Sequence, residues 1–89
     1  MKTPFICMAA ALIFAASAIA ADAAIVCRLN PYGDNYLSLR AGPGSDFAEI
    51  TRLGPDTGLS VFGGEGPWLR VRTEDGSVGW VFSRYVCGR

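Results

Sequence analysis

The sequence predicts an all-β fold, a small five-stranded barrel, and three observations carry that reading. Turn-forming clusters recur roughly every ten residues, the spacing of short strands in a barrel or sandwich. The segments between them are too short for ordinary helices, and several alternate apolar with polar residues. Two cysteines stand near the two ends of this region, where closure of a barrel would bring head and tail together.

The N-terminus is of a different kind. "MKTPFICMAAALIFAASAIA" has Lys2, an apolar run from Phe5 to Ile19, and then small residues. That is the build of a secretory signal peptide. The run is short for a membrane span, which needs about 20 apolar residues. Ala18 and Ala20 would direct a cut after residue 20, and Ala21 and Ala23 a cut after residue 23. The expected division is a signal segment 1–23 and a barrel domain 24–89, with a retained N-terminal anchor as the alternative. No membrane span is expected once the signal is removed. Export places the domain in an oxidising compartment, periplasmic or extracellular. Cys7 leaves with the signal, so Cys27 and Cys87 remain and are expected to form a disulfide. A bond across about 60 residues stabilises by roughly 4 kcal/mol in the chain-entropy account. The core of so small a domain supplies only about 3–5 kcal/mol, so the bond is of comparable weight.

The strands follow in order. "YLSLR" sets Leu37 and Leu39 against Ser38 and Arg40. "AGPGSD" then turns the chain into "FAEITRL", and "GPDTG" leads to "LSVFG". "GGEGP" precedes "WLRVRT", where Leu69 and Val71 oppose Trp68, Arg70 and Arg72. Asp75-Gly76 is a tight hairpin signal leading to "VGWVF". In that last strand Val78 and Trp80 oppose Gly79 and Val81, and Trp80 is expected to wedge into the core.

The stretch from Tyr36 to Val86 resembles bacterial Src-homology-3 domains. The residues that carry the resemblance are Leu37, Leu39, Arg40, Gly42, Pro43, Phe47 and Ile50, then Trp68 and Val71. Asp75, Gly76, Gly79, Trp80, Val81, Tyr85 and Val86 complete it. The resemblance implies an SH3-like, mostly antiparallel barrel with a short 3₁₀ turn near Ser83–Tyr85. It also implies a binding module of the kind attached to cell-wall enzymes or exported proteins. Tyr85 is similar to the tyrosine that lines the peptide groove of such domains. Phe82 stands where eukaryotic relatives carry a groove proline.

The remaining chemistry is mostly exclusion. "AGPGSD" after a strand is not a phosphate cradle, because no lysine follows and Pro43 removes an amide donor. The loop is expected to fold over one barrel end, with Arg40 at its base pairing Asp46 or Glu49. No histidine occurs, and the lone lysine departs with the signal, so a serine nucleophile has no base. Two bonded cysteines offer neither a nucleophile nor a zinc site. No enzyme activity, cofactor or metal is expected. From Ile25 onward seven arginines balance seven carboxylates. That balance predicts no basic face and hence no nucleic-acid partner.

The aromatic residues are more numerous than a barrel of this size buries. The expected ligand-binding set is Asp46, Phe47, Glu65, Trp68, Arg70, Phe82 and Tyr85. Aromatic faces supply contact area at low entropic cost. Asp46 or Glu65 would take an amine and Arg70 a carboxylate. The groove would lie between the loop around Phe47 and the loop around Glu65–Trp68. The expected function is recognition of a peptide or protein in the cell envelope, with peptidoglycan peptide as first candidate. The alternative is a small secreted inhibitor or accessory subunit of an envelope protein.

Overall fold

A computed structural model describes residues 21–89. The expected signal segment, residues 1–20, lies outside the described residues. The domain is all-β: β1 Asp22–Val26, β2 Leu37–Arg40, β3 Glu49–Leu53, β4 Gly58–Glu65, β5 Trp68–Thr73, β6 Val78–Phe82 and β7 Val86–Cys87. One 3₁₀ turn, Ser83–Tyr85, separates β6 from β7. All pairings are antiparallel, and the order is β3-β2-β6-β5-β4-β1-β7. β6 lies inside this order and β7 at its edge, yet only three residues join them. The sheet must therefore curl on itself, which makes the SH3-like barrel.

Seven strands replace the expected five. The additional two are the terminal ones. β1 is alanine-rich and lies beside the apolar N-terminal run, so it carries little strand signal of its own. β7 has two residues and shows no period. Tertiary pairing makes both: Ala24 registers with Leu59, and Val26 with Val86.

The core is the inward set of the alternation. Val26, Leu39, Val71 and Val81 are fully buried, and Leu37, Leu53, Leu59, Val61, Leu69 and Val86 surround them. Three sequence expectations about single residues change. On β6 the inward positions are Gly79 and Val81, so Trp80 faces outward and is half-buried rather than a core wedge. Gly79 faces inward because the chain approaches closely there. A Cβ at this position would sit 2.7 Å from the Arg40 carbonyl oxygen and 2.9 Å from Leu39 Cγ. Arg40 donates to the Phe47 carbonyl oxygen at 3.0 Å instead of pairing Asp46 or Glu49. Glu49 is engaged elsewhere, accepting from Ser38 Oγ at 2.5 Å and Arg52 Nε at 3.0 Å.

The expected hairpin turn forms as the sequence indicates. Gly76 has φ +93°, a left-handed value that glycine adopts without steric penalty. The buried Thr73 hydroxyl bonds the Asp75 carboxylate and accepts from the Ser77 amide at 3.1 Å. The Cys27–Cys87 disulfide joins the start of the loop after β1 to β7, with Cα atoms 5.9 Å apart.

Candidate functional site

Outward positions of β5 and β6 meet in register at one end of the barrel. Trp68 pairs Phe82, and their ring centroids lie 5.4 Å apart at 60°. The 3₁₀ turn brings Tyr85 next to Phe82, centroids 6.2 Å apart. The amide of Ser83 donates to the Pro67 carbonyl oxygen at 2.9 Å, which ties the turn to the β4–β5 hairpin. These tilted contacts suit aromatic quadrupoles and hold the three rings as one unit.

The rings form one wall of a cleft of about 680 Å³. From β2 come Ser38 and Arg40, and just ahead of it Tyr36. A further wall is the segment after β1, with Arg28, Leu29 and Asn30, and further along Asp34. This arm is held firmly. The Cys27 amide donates to the Tyr85 carbonyl oxygen at 2.9 Å, next to the disulfide. Arg28 has φ +58°, unusual for a residue with a side chain, and its Nη1 donates to the Arg84 carbonyl oxygen at 3.0 Å. An Asx turn ends the arm: Asn30 Oδ1 accepts from the Tyr32 amide at 2.9 Å.

An antiparallel barrel, a 3₁₀ turn before the last strand and Tyr85 in a cleft beside it match the resemblance read from the sequence. A family model of the bacterial SH3 domain matches residues 35–86, more than half of the chain. The chain belongs to the bacterial SH3 domain family. Domains of this family are in general non-catalytic binding modules. Among functionally curated proteins, none shows significant similarity to the chain. A bacterial SH3 domain closed by a disulfide points to an extracytoplasmic protein. No helix among the described residues is long and apolar enough to cross a membrane.

This SH3 domain brings Trp68, Phe82 and Tyr85 of the expected ligand set together and separates the other four. Phe47 is 46% exposed, but its ring lies against Gly42 and Gly44 and closes its own loop. Asp46 is exposed in the same loop, outside the cleft lining. Glu65 closes the β4–β5 hairpin opposite Trp68 and does not line the cleft. Arg70 shares the outward face of β5 with Trp68 but turns toward Phe62 and Trp80, 5.4 and 5.9 Å from their ring centroids.

Sequence reasoning passed over the arm and Tyr36. Arg28 and Arg84 are 56 residues apart, and no local pattern joins them. Tyr36 had a signal in its aromatic side chain at the start of the SH3 match. Its ring also takes the Arg52 guanidinium, 4.2 Å from the centroid. Charge at the cleft margin is tuned by hydrogen bonds. The Ser38 hydroxyl, and then Arg52, hold the Glu49 carboxyl below its ordinary value. Among the described residues, no cluster of three histidine, cysteine or acidic side chains is placed to hold a metal ion.

Proposed function

We propose that this SH3 domain is an exported, non-catalytic module that binds a peptide or protein of the cell envelope in the Trp68–Phe82–Tyr85 cleft. The observation that carries the reading is the convergence of those three rings on one concave surface. Flat aromatic faces stack on extended peptide with little loss of side-chain freedom. The disulfide and the family support an extracytoplasmic setting, and the apolar N-terminal run supports export. The pairing of Asp22 with Val61 and of Ala23 with Ser60 favours a cut after residue 20. A cut after residue 23 would remove both residues from β1. Peptidoglycan stem or cross-bridge peptide is the first ligand to try. Purified wall-peptide fragments are titrated while the Trp68 indole and Tyr85 ring signals are followed by NMR. Saturable shifts at both rings are expected. Signals unmoved at millimolar fragment remove wall peptide as the ligand.

A further inference from the structure

We infer that the cleft selects an acidic peptide, anchored through its carboxylates by Arg28 and Arg40. The inference rests on the peptide-recognition reading and adds the chemical class of the ligand.

The near-zero net charge hides a segregation. β2, β5 and β6 contain no acidic residue, yet they carry Arg40, Arg70 and Arg72 at outward positions. The carboxylates lie instead in loops and turns, on β1 and β3, and at the end of β4. The aromatic wall and Arg40 belong to the three acid-free strands or the turn that follows them.

Two arginines line the cleft, Arg28 from the arm and Arg40 from β2. Each is oriented by a main-chain carbonyl rather than by a carboxylate. Arg28 donates to the Arg84 carbonyl oxygen and Arg40 to that of Phe47, both at 3.0 Å. Among the described residues only Arg52 has a carboxylate partner within 4 Å, Glu49. A carbonyl fixes an arginine in place and leaves several N–H donors still to satisfy, although Arg40 also feels the charge of Glu49, its cross-strand neighbour. Such a fork is pre-organised for a carboxylate. The left-handed φ of Arg28 adds to this reading. Local strain of that kind persists where surrounding contacts enforce it, as the disulfide beside it does. The one acidic residue of the lining, Asp34, leaves the balance of the cleft positive.

A single-stranded nucleic acid would also offer negative charge and flat bases. It fits less well, because cleft arginines are only two and Asp34 opposes a phosphate chain. An acidic peptide uses the same rings and needs only one or two carboxylates.

The test uses a synthetic peptide of alternating proline and glutamate, its glutamine counterpart, and oligothymidylate. The full disulfide-bonded domain is titrated by NMR at low and moderate salt. The glutamate peptide is expected to shift Trp68 and Tyr85 and to bind at least several-fold more tightly than the glutamine peptide. The preference should shrink as salt rises, since exposed charges are screened. Arg28→Gln and Arg40→Gln are each expected to weaken the glutamate peptide roughly two- to ten-fold. Arg28→Lys keeps the charge and should recover part of the loss. Arg72→Gln, outward on β5 but away from the cleft, should leave affinity unchanged. If neither peptide moves the rings, peptide recognition at this cleft fails and the inference with it. Equal binding of both peptides overturns the acidic preference alone. An equal loss in Arg72→Gln, or tighter binding of oligothymidylate, also overturns it.

Discussion

The two walls of the cleft are built in different ways. The aromatic wall stands on β5, β6 and the 3₁₀ turn, inside the region matched by the bacterial SH3 family. Its rings are fixed by strand register and by mutual contact. The arm wall, Arg28 to Asn30, precedes that region and has no sheet of its own. It is held by the Cys27 amide, the disulfide and the Arg28 guanidinium, all fastened to the far end of the chain. A sheet position is stabilised by many weak contacts that fail together. A tethered arm depends on a few strong ones, and removing any of them acts locally first. The common module therefore supplies the rings and Arg40, and the tethered arm adds Arg28.

Breaking the tether gives the sharpest contrast. Replacing both cysteines, Cys27→Ser with Cys87→Ser, is expected to destabilise the domain by roughly 4 kcal/mol from loop entropy. Denaturant unfolding measures the loss. Hydrogen exchange on the surviving folded fraction should show faster exchange at the Cys27 and Tyr32 backbone positions than in β5 and β6. Uniform acceleration across both would mean that the arm is not a separate unit.

A core change should affect both walls at once. Leu39 is fully buried on β2, so Leu39→Ala is expected to cost about 3 kcal/mol. Loss of stability without any local change in arm exchange would match the sheet's role as common support. A cost under about 1 kcal/mol would show that the site collapses to fill the space.

Trp68→Ala tests the aromatic wall alone. Trp68 is half-buried at the start of β5, so folding should change by about 1 kcal/mol or less while peptide affinity falls roughly tenfold. Calorimetric unfolding and peptide titration separate the two. A large fall in stability with unchanged affinity would move Trp68 from ligand contact to barrel cover.

The smallest expected effect is that of pH. Glu49 and Asp75 both sit below their ordinary carboxylate values, Glu49 through Ser38 and Asp75 through the Thr73 hydroxyl. A lowered folded-state value means stability that is present above the ordinary value and lost as pH falls through the lowered one. The thermal midpoint should therefore decline modestly below about pH 4, near the ordinary carboxylate range. Glu49→Gln should flatten part of that decline. Both groups are at the surface, and an unchanged midpoint down to about pH 2.5 would mean that these hydrogen bonds add nothing to folding.

Particular residues show how far the sequence could be read. Leu37, Leu39, Leu69 and Val71 were legible as core because they alternate with polar neighbours on strands bounded by strong turns. The Cys27–Cys87 bond was legible from two cysteines near the two ends of the barrel region. Trp80 was misread because glycine opposite a tryptophan looks like the lesser core residue. The inward choice follows from the approach of the Arg40 backbone, which belongs to another strand. Arg70 was assigned to the ligand beside Trp68 because both share a strand face. Two residues along a strand span roughly 6.6 Å, enough to leave one cleft and join another ring pair.

Strand lengths, turn positions and the inward or outward side of most residues follow from local rules, since side-chain period and turn chemistry act over a few neighbours. Which outward residues face one another across a cleft depends on how the sheet curls and where distant segments are tied. Arg28 reaches Arg84, and Trp68 meets Phe82, only after the barrel has formed, so that part of the molecule had to come from contacts distant in the chain.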